Sequence, residues 1–275
     1  MKSNKYKILI LSDLKKSTST TLKSTVSLAK MINGDIEFFH VKKPTDIVEK
    51  ENQLSAMRTI NEKHNITRKK IEKLIKSISE DYGVNVKHSF TFGNIKNEIA
   101  NHIEKVKPDI IVVGKRRQKP INLIGDNLTS FVLKKHDGLI FIASDKNTIE
   151  PNKELTLGVL NATEKSFNSD FAQKLIKHTQ KPLKSFRIIK KTDALKKTNE
   201  AALGNNIVEY VFEENDNTIK NLSNYLSKNN INLLCFDRGH RNTKNNTNSI
   251  KTNINDVIRN LNVSLLLTTE QKLKI

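Results

Sequence analysis

The chain states one pattern of elements twice, and that repetition constrains its architecture before any single motif is read. Lys7–Asp13 reads KILILSD, an apolar run ending in an acid, followed by a Ser/Thr-rich loop and an amphipathic segment. Leu155–Asn161 reads LTLGVLN, again an apolar run with a polar end, followed by a Ser/Thr/Asn loop and a second amphipathic segment. Both copies close alike: a strand (Asp109–Gly114, Ile231–Gly239), a basic polar loop, a helix, and a short apolar strand (Leu139–Ser144, Val263–Thr268). Strand patterns alternate with helical ones throughout, which predicts an α/β chain of two five-stranded, mostly parallel sheets. Right-handed crossovers then place helices on both faces. Ile8–Ser12 is apolar without alternation, as a strand covered on both sides must be. Leu22, Val26, Ala29 and Ile32 recur at helical spacing within Thr21–Ile32, and Asn33-Gly34 predicts a left-handed cap. Small ligands of such sheets sit beyond the carboxyl ends of the strands. That sets Asp13, Val41, Gly114 and the loop after it along one rim.

The 275 residues suffice for two domains, 1–146 and 152–275. The polar stretch Ser144–Lys153, which holds Pro151, is expected to link them. No stretch reaches the roughly 18–20 apolar residues of a membrane span. The N-terminus is charged first and apolar second, like a signal peptide. Its apolar run is short, however, Asp13 interrupts it, and no small-residue cleavage site follows, so a first strand is expected. The single cysteine, Cys235, lies in the apolar run INLLCF, which excludes an internal disulfide and fits a reducing cytoplasm.

The formal charge of +19 invites a polyanion partner, and polyanion binding stands as one alternative. The charge is spread over both halves, lysine outnumbers arginine, and asparagine tracts such as Lys244–Asn248 accompany it. No aromatics interleave with the basic residues as they do in single-strand binders, so solvated basic faces are expected and nucleic acid is not. The seven histidines show no metal-ligand spacing. No Ser/His/Asp, Cys/His or paired-carboxylate arrangement stands out, so neither a metal nor an enzyme is expected.

The ordered set KILILSD, DIEFFHV, VNVKHSFTFGN, PDIIVVGKRR, FVLKK and LIFIAS resembles the universal stress protein family over Lys5–Ser144. A weaker likeness covers Leu155–Thr269, best at LTLGVLN, INLLCFDRG and DVIRNLNVSLLLT. The resemblance implies a tandem universal stress protein. Its two domains would be Rossmann-like and adenine-nucleotide-hydrolase-like, acting in the stress response as a binding and signalling module. Many members bind ATP, which points to an adenine nucleotide in the first domain only. The implied site residues are Asp13 at the nucleoside, the backbone of Val41 at the adenine, and Gly114, Lys115, Arg117, Gly125 and Asn127 around the phosphates. The family's glycines after the fourth strand are only partly kept. Arg117 stands where a second glycine belongs, and Gly125 comes two residues early and is followed by Asp126. A side chain there obstructs the approach of phosphate to backbone N–H groups.

In the second half Asn161 is read as the replacement for the acid, so no nucleotide is expected there. The resemblance also implies that single-domain members dimerise through their last strands. Here LIFIAS and VSLLLTT would pair within the chain, and a homodimer of the whole unit is compatible with that. Each named residue has a plainer reading too. Asp13 caps its own turn, Gly114 merely ends a strand, and Lys115–Lys119 forms a solvated loop. A nucleotide-independent stress scaffold is the corresponding alternative function.

Overall fold

The computed structural model describes residues 5–43, 53–115, 128–161, 169–189, 207–238 and 254–268. Strand β1 (Tyr6–Ser12) carries four consecutive buried residues, Ile8–Leu11, because both of its faces are covered. Helix α1 (Thr18–Ile32) ends where Asn33 takes φ 59° and ψ 62°, the left-handed cap that the Asn-Gly pair predicts. Strand β2 (Gly34–Lys42) precedes α2 (Gln53–Tyr82), which Gly83 ends at φ 65°. After β3 (Val86–Phe92) comes α3 (Ile95–Val106), whose N-cap Asn94 accepts from the amides of Lys96 and Asn97 at 3.1 and 3.3 Å. Strand β4 (Ile110–Gly114), α4 (Leu128–Lys135) and β5 (Leu139–Ala143) complete the first half.

The second half runs β6 (Leu157–Leu160), α5 (Asp170–Lys177), β7 (Leu183–Ile189) and β8 (Ile207–Glu213). It continues with α6 (Thr218–Lys228), β9 (Leu233–Asp237), α7 (Ile254–Asn260) and β10 (Ser264–Thr268). The helix expected near Asp193–Leu203 lies outside the described residues.

The ten strands among the described residues form one sheet, ordered β3-β2-β1-β4-β5-β10-β9-β6-β7-β8. Every pairing is parallel except the central one, where β5 meets β10 antiparallel. Its register, Ile140 with Leu267, Phe141 with Leu266 and Ile142 with Leu265, reads the same in both directions. The chain therefore has an internal pseudo-two-fold axis at Phe141–Leu266. Each core layer crosses that axis. One packs Ile10, Phe38 and Phe141 with Leu157, Phe171 and Leu233, and the other packs Leu11, Phe39 and Ile142 with Leu160, Phe186 and Leu222.

Two features depart from the sequence reading. The connection between the halves is not a free tether, since Ile149 and Pro151 are buried and the Ile149 amide donates to Ser24 Oγ at 3.0 Å. Helix α1 is buried beyond its apolar stripe, with Ser24, Thr25 and Ser27 also covered. The reason is that α5 and the connection lie over its second side. There Tyr6 sits edge-on to Phe171, with ring centroids 5.6 Å apart.

Phe141 is fully buried at the seam, so Phe141→Ala should cost about 3–5 kcal/mol. Because both core layers cross the seam, the loss should lower one shared unfolding transition. Denaturant titration followed by circular dichroism and by tyrosine fluorescence checks this, and two resolved transitions would show separable halves.

Candidate functional site

The carboxyl ends of β1 and β4 meet the first described turns of α1 and α4 in an open cleft. Five hydroxyl residues line it: Ser12, Ser17, Thr18, Thr21 and Thr129. Asp13 and Gly114 complete its rim and floor. The local sequence explains the shape. After Ser12 the chain must reverse direction, and Leu14 does so at φ 55°. Ser12 Oγ accepts from the Leu14 amide at 3.1 Å and lies 3.2 Å from Thr18 Oγ1. Asp13 Oδ1 accepts from the Lys15 amide at 3.1 Å, which is an Asx-turn, and Asp13 Oδ2 lies 3.8 Å from Lys15 Nζ. From α2, Lys70 Nζ donates to the Leu14 carbonyl at 2.8 Å and ties the turn down.

Helix α1 starts at this cleft without a side-chain N-cap, because Ser17 holds αR geometry and makes no capping bond. Its own hydroxyls turn back instead, with Thr20 and Thr21 Oγ1 donating to the Ser17 carbonyl at 2.8 and 3.0 Å. A helix start with positive dipole potential and a cluster of hydroxyls suits an anion. Gly114 is where α1 comes closest to the strand. A Cβ there would lie 2.7 Å from Thr21 Oγ1.

The expected site residues separate into three groups. Asp13 and Gly114 come together at the cleft. Val41 does not line it, being 8% exposed within the core layer and paired with Thr91 of β3. Lys115, expected beside phosphates, donates its ammonium to the carbonyl of Leu261 in the second half. Burial there lowers the lysine's pKa. Arg117, Gly125 and Asn127 lie outside the described residues. The sequence reading noted the Ser/Thr-rich stretch after β1 but gave its hydroxyls no role.

The pseudo-symmetry also corrects the second-half alignment. Asp109 Oδ2 accepts the Lys7 amide at 2.7 Å, and Asn232 Oδ1 accepts the Thr156 amide at 3.0 Å. The reverse bonds match as well, from Asp109 N to the Lys7 carbonyl at 3.0 Å and from Asn232 N to the Thr156 carbonyl at 3.1 Å. Equal steps from these anchors make Asn161 the counterpart of Ser12, not of Asp13, and Asp237 the counterpart of Gly114. Asp13 then corresponds to Ala162, which lies outside the described residues. Asn161 Oδ1 accepts from the Ile188 amide at 3.0 Å, and the β-sheet registers make Ile188 the counterpart of Val41. Among the described residues no cluster of three or more His, Cys, Asp or Glu side chains could hold a metal ion, and no helix is long and apolar enough to cross a membrane.

Residues 6–135 match the Universal stress protein family. The structure is similar to that of a universal stress protein from Archaeoglobus fulgidus, at 15% identity and a TM-score of 0.65 over 96% of this chain and 98% of that one. It is also similar to a functionally unknown protein from Pseudomonas aeruginosa, at 12% identity and a TM-score of 0.59 over 96% of this chain and 92% of that one. At such identities these likenesses establish the fold. No curated protein sequence matches the chain.

Two predictions follow the cleft's geometry. Gly114→Ala should destabilise the fold by about 1–3 kcal/mol through overpacking against Thr21. Combining it with Thr21→Ala should recover most of that loss in thermal unfolding, whereas a glycine kept only to end a strand would show no such rescue. The second concerns His40, which is buried with Nδ1 2.8 Å from the Ser12 carbonyl. A carbonyl only accepts, so Nδ1 carries the hydrogen. Burial holds the imidazole pKa below its ordinary 6.5, with Lys42 and Lys70 adding to the fall and the Ser12 bond and Asp13 opposing it. The unfolded chain then binds the extra proton first, so the contribution is complete above pH 6.5 and is lost as pH falls below it. His40→Asn, which keeps a donor near Nδ1, should flatten the stability profile there by at most ~1.4 kcal/mol per pH unit.

Proposed function

We propose that the chain, whose residues 6–135 match the Universal stress protein family, is a stress-response binding and signalling module and not a catalyst. In this reading the second half is a degenerate copy of the same domain. The first-half cleft takes an adenine nucleotide, with Asp13 at the nucleoside and the Gly114 end of β4 near the phosphates. Arg117, Gly125 and Asn127 would lie on the phosphate side. The observation that carries the reading is the meeting of the starts of α1 and α4 with hydroxyls and a closely packed glycine at one cleft. Anions are favoured where helix amides and hydroxyls converge.

The silence proposed for the second half rests on its side chains. Asp237 presents a carboxylate where Gly114 presents none, and the Asn161 side chain occupies the amide of Ile188. Pairing of β5 with β10 supports a working unit in which the two halves already serve as each other's partner.

The nucleotide-independent scaffold is the second reading. It is favoured by Asp13, whose carboxylate is engaged with Lys15. Calorimetric titration of ATP into the full chain at moderate salt separates the two. The nucleotide reading expects one saturable site per chain, weakened at least tenfold by Asp13→Ala and unmoved by Asn161→Ala. No heat and no thermal stabilisation up to millimolar ATP would establish the scaffold.

A further inference from the structure

Each half sends a cation onto the end of the other half's last helix. Lys115 directly follows β4, and its ammonium donates to the carbonyl of Leu261, the residue after α7. Arg238 directly follows β9, and its guanidinium reaches the end of α4. There it donates to the carbonyls of His136 and Gly138 at 2.8 Å each and of Leu133 at 3.4 Å. The two cations hold equivalent places. The Lys115 amide donates to the Ala143 carbonyl at 2.8 Å, and the Arg238 amide to the Thr268 carbonyl at 3.0 Å. Ala143 and Thr268 are the last residues of β5 and β10, so the backbones superpose by the same axis that relates those strands. His136 and Leu261 are likewise matched, each following the final helix of its half. The last carbonyls of a helix have no partner within it and carry the negative end of its dipole, so a cation donor satisfies both demands.

The crossing matters because both first-half elements involved border the cleft. Lys115 is joined to Gly114, and the start of α4 contributes Leu128 and Thr129 to the wall. The described part of α4 buries Val132, packs Leu128, Phe131 and Leu133 partly against the same core layer, and pairs Lys135 with Glu104 of α3 at 2.7 Å. A helix so short depends on tertiary contacts for its position. Its far end is held by three hydrogen bonds from Arg238.

We propose that the second half positions the first-half cleft through these crossed clamps, with Arg238 setting α4 and Lys115 setting the end of β4. Both are positioning residues, since neither needs to touch the ligand. The consequence for affinity rests on the nucleotide reading above. The consequence for α4 does not.

Hydrogen exchange on the full-length chain tests the clamp without any ligand. Arg238→Met keeps the stem and removes the donors, and should lower protection of the α4 amides about tenfold or more. Protection in α3 should stay unchanged, and Arg238→Lys should restore part of the loss. Leu226→Ala, which opens a cavity in the second half and removes no hydrogen bond of the clamp, serves as the control for general destabilisation. It should lower the unfolding temperature without a selective loss in α4. Unchanged α4 protection in Arg238→Met, or an equal loss in α3 and α4, would overturn the clamp. ATP titration is the second arm. If the wild-type chain binds ATP, Arg238→Met should weaken binding several-fold while Leu226→Ala does not. Wild-type affinity in Arg238→Met would overturn the link to the cleft, whereas absence of binding to the wild type would refute the nucleotide reading and leave the exchange result to decide the clamp.

Discussion

The antiparallel pairing of β5 with β10 is the contact on which the rest of the molecule depends. Both strands are short and uncharged, and each would otherwise end its half as an open edge with unpaired N–H and C=O groups. Joining them satisfies those groups. Because both strands are apolar on both faces, it also fuses the two core layers across the seam. Polar contacts then close one of its ends: the Ser144 amide donates to Ser264 Oγ at 3.1 Å, and Ser144 Oγ donates to the Asn262 carbonyl at 3.0 Å. The clamps of Lys115 and Arg238 stand beside them. The halves therefore share one sheet and both core layers, although the chain reads as two domains.

The axis fixes backbone positions and leaves side-chain chemistry open. Strand pairing and crossover geometry are made by main-chain hydrogen bonds, which accept almost any residue of suitable shape. Ligand recognition is made by side chains and by their absence. At matched positions the chain therefore holds Gly114 and Asp237, Ser12 and Asn161, Lys115 and Arg238, His136 and Leu261. The first two pairs change what the rim could bind. The third keeps a cation for the seam in both copies, by different chemistry, and the fourth keeps only the backbone carbonyl that accepts it.

What the sequence made legible follows from local physics. Runs such as IIVVG and LIFIA show strands buried on both faces, and Asn33 and Asn94 mark helix ends through their own geometry. The features that escaped it are non-local. The buried hydroxyl face of α1 looks solvated until α5 and Ile149 cover it. Lys115 looks like one more exposed cation in a basic stretch, because its acceptor is 146 residues away. Placing Asn161 opposite Asp13 slipped by one residue for a definite reason. A strand without polar alternation carries no mark of its register, so two apolar runs can be slid past one another at no apparent cost. Only the bonds from Asp109 and Asn232 pin the alignment.

These facts also say why a copy without ligand chemistry would persist in such a chain. Removing the second half would expose the β5 edge and one side of both core layers, uncover α1, and release the end of α4. None of these demands involves the rim beyond β6 and β9. The residues that meet them lie at the seam: the apolar face of β10, the carbonyl after α7, Phe171 against Tyr6, and Arg238. If the second half takes no ligand, the seam alone constrains it, and a carboxylate such as Asp237 can stand at its rim without loss to the fold. The first half has less freedom at Gly114, where a Cβ would lie 2.7 Å from Thr21 Oγ1 and would have to displace it whether or not a ligand is bound.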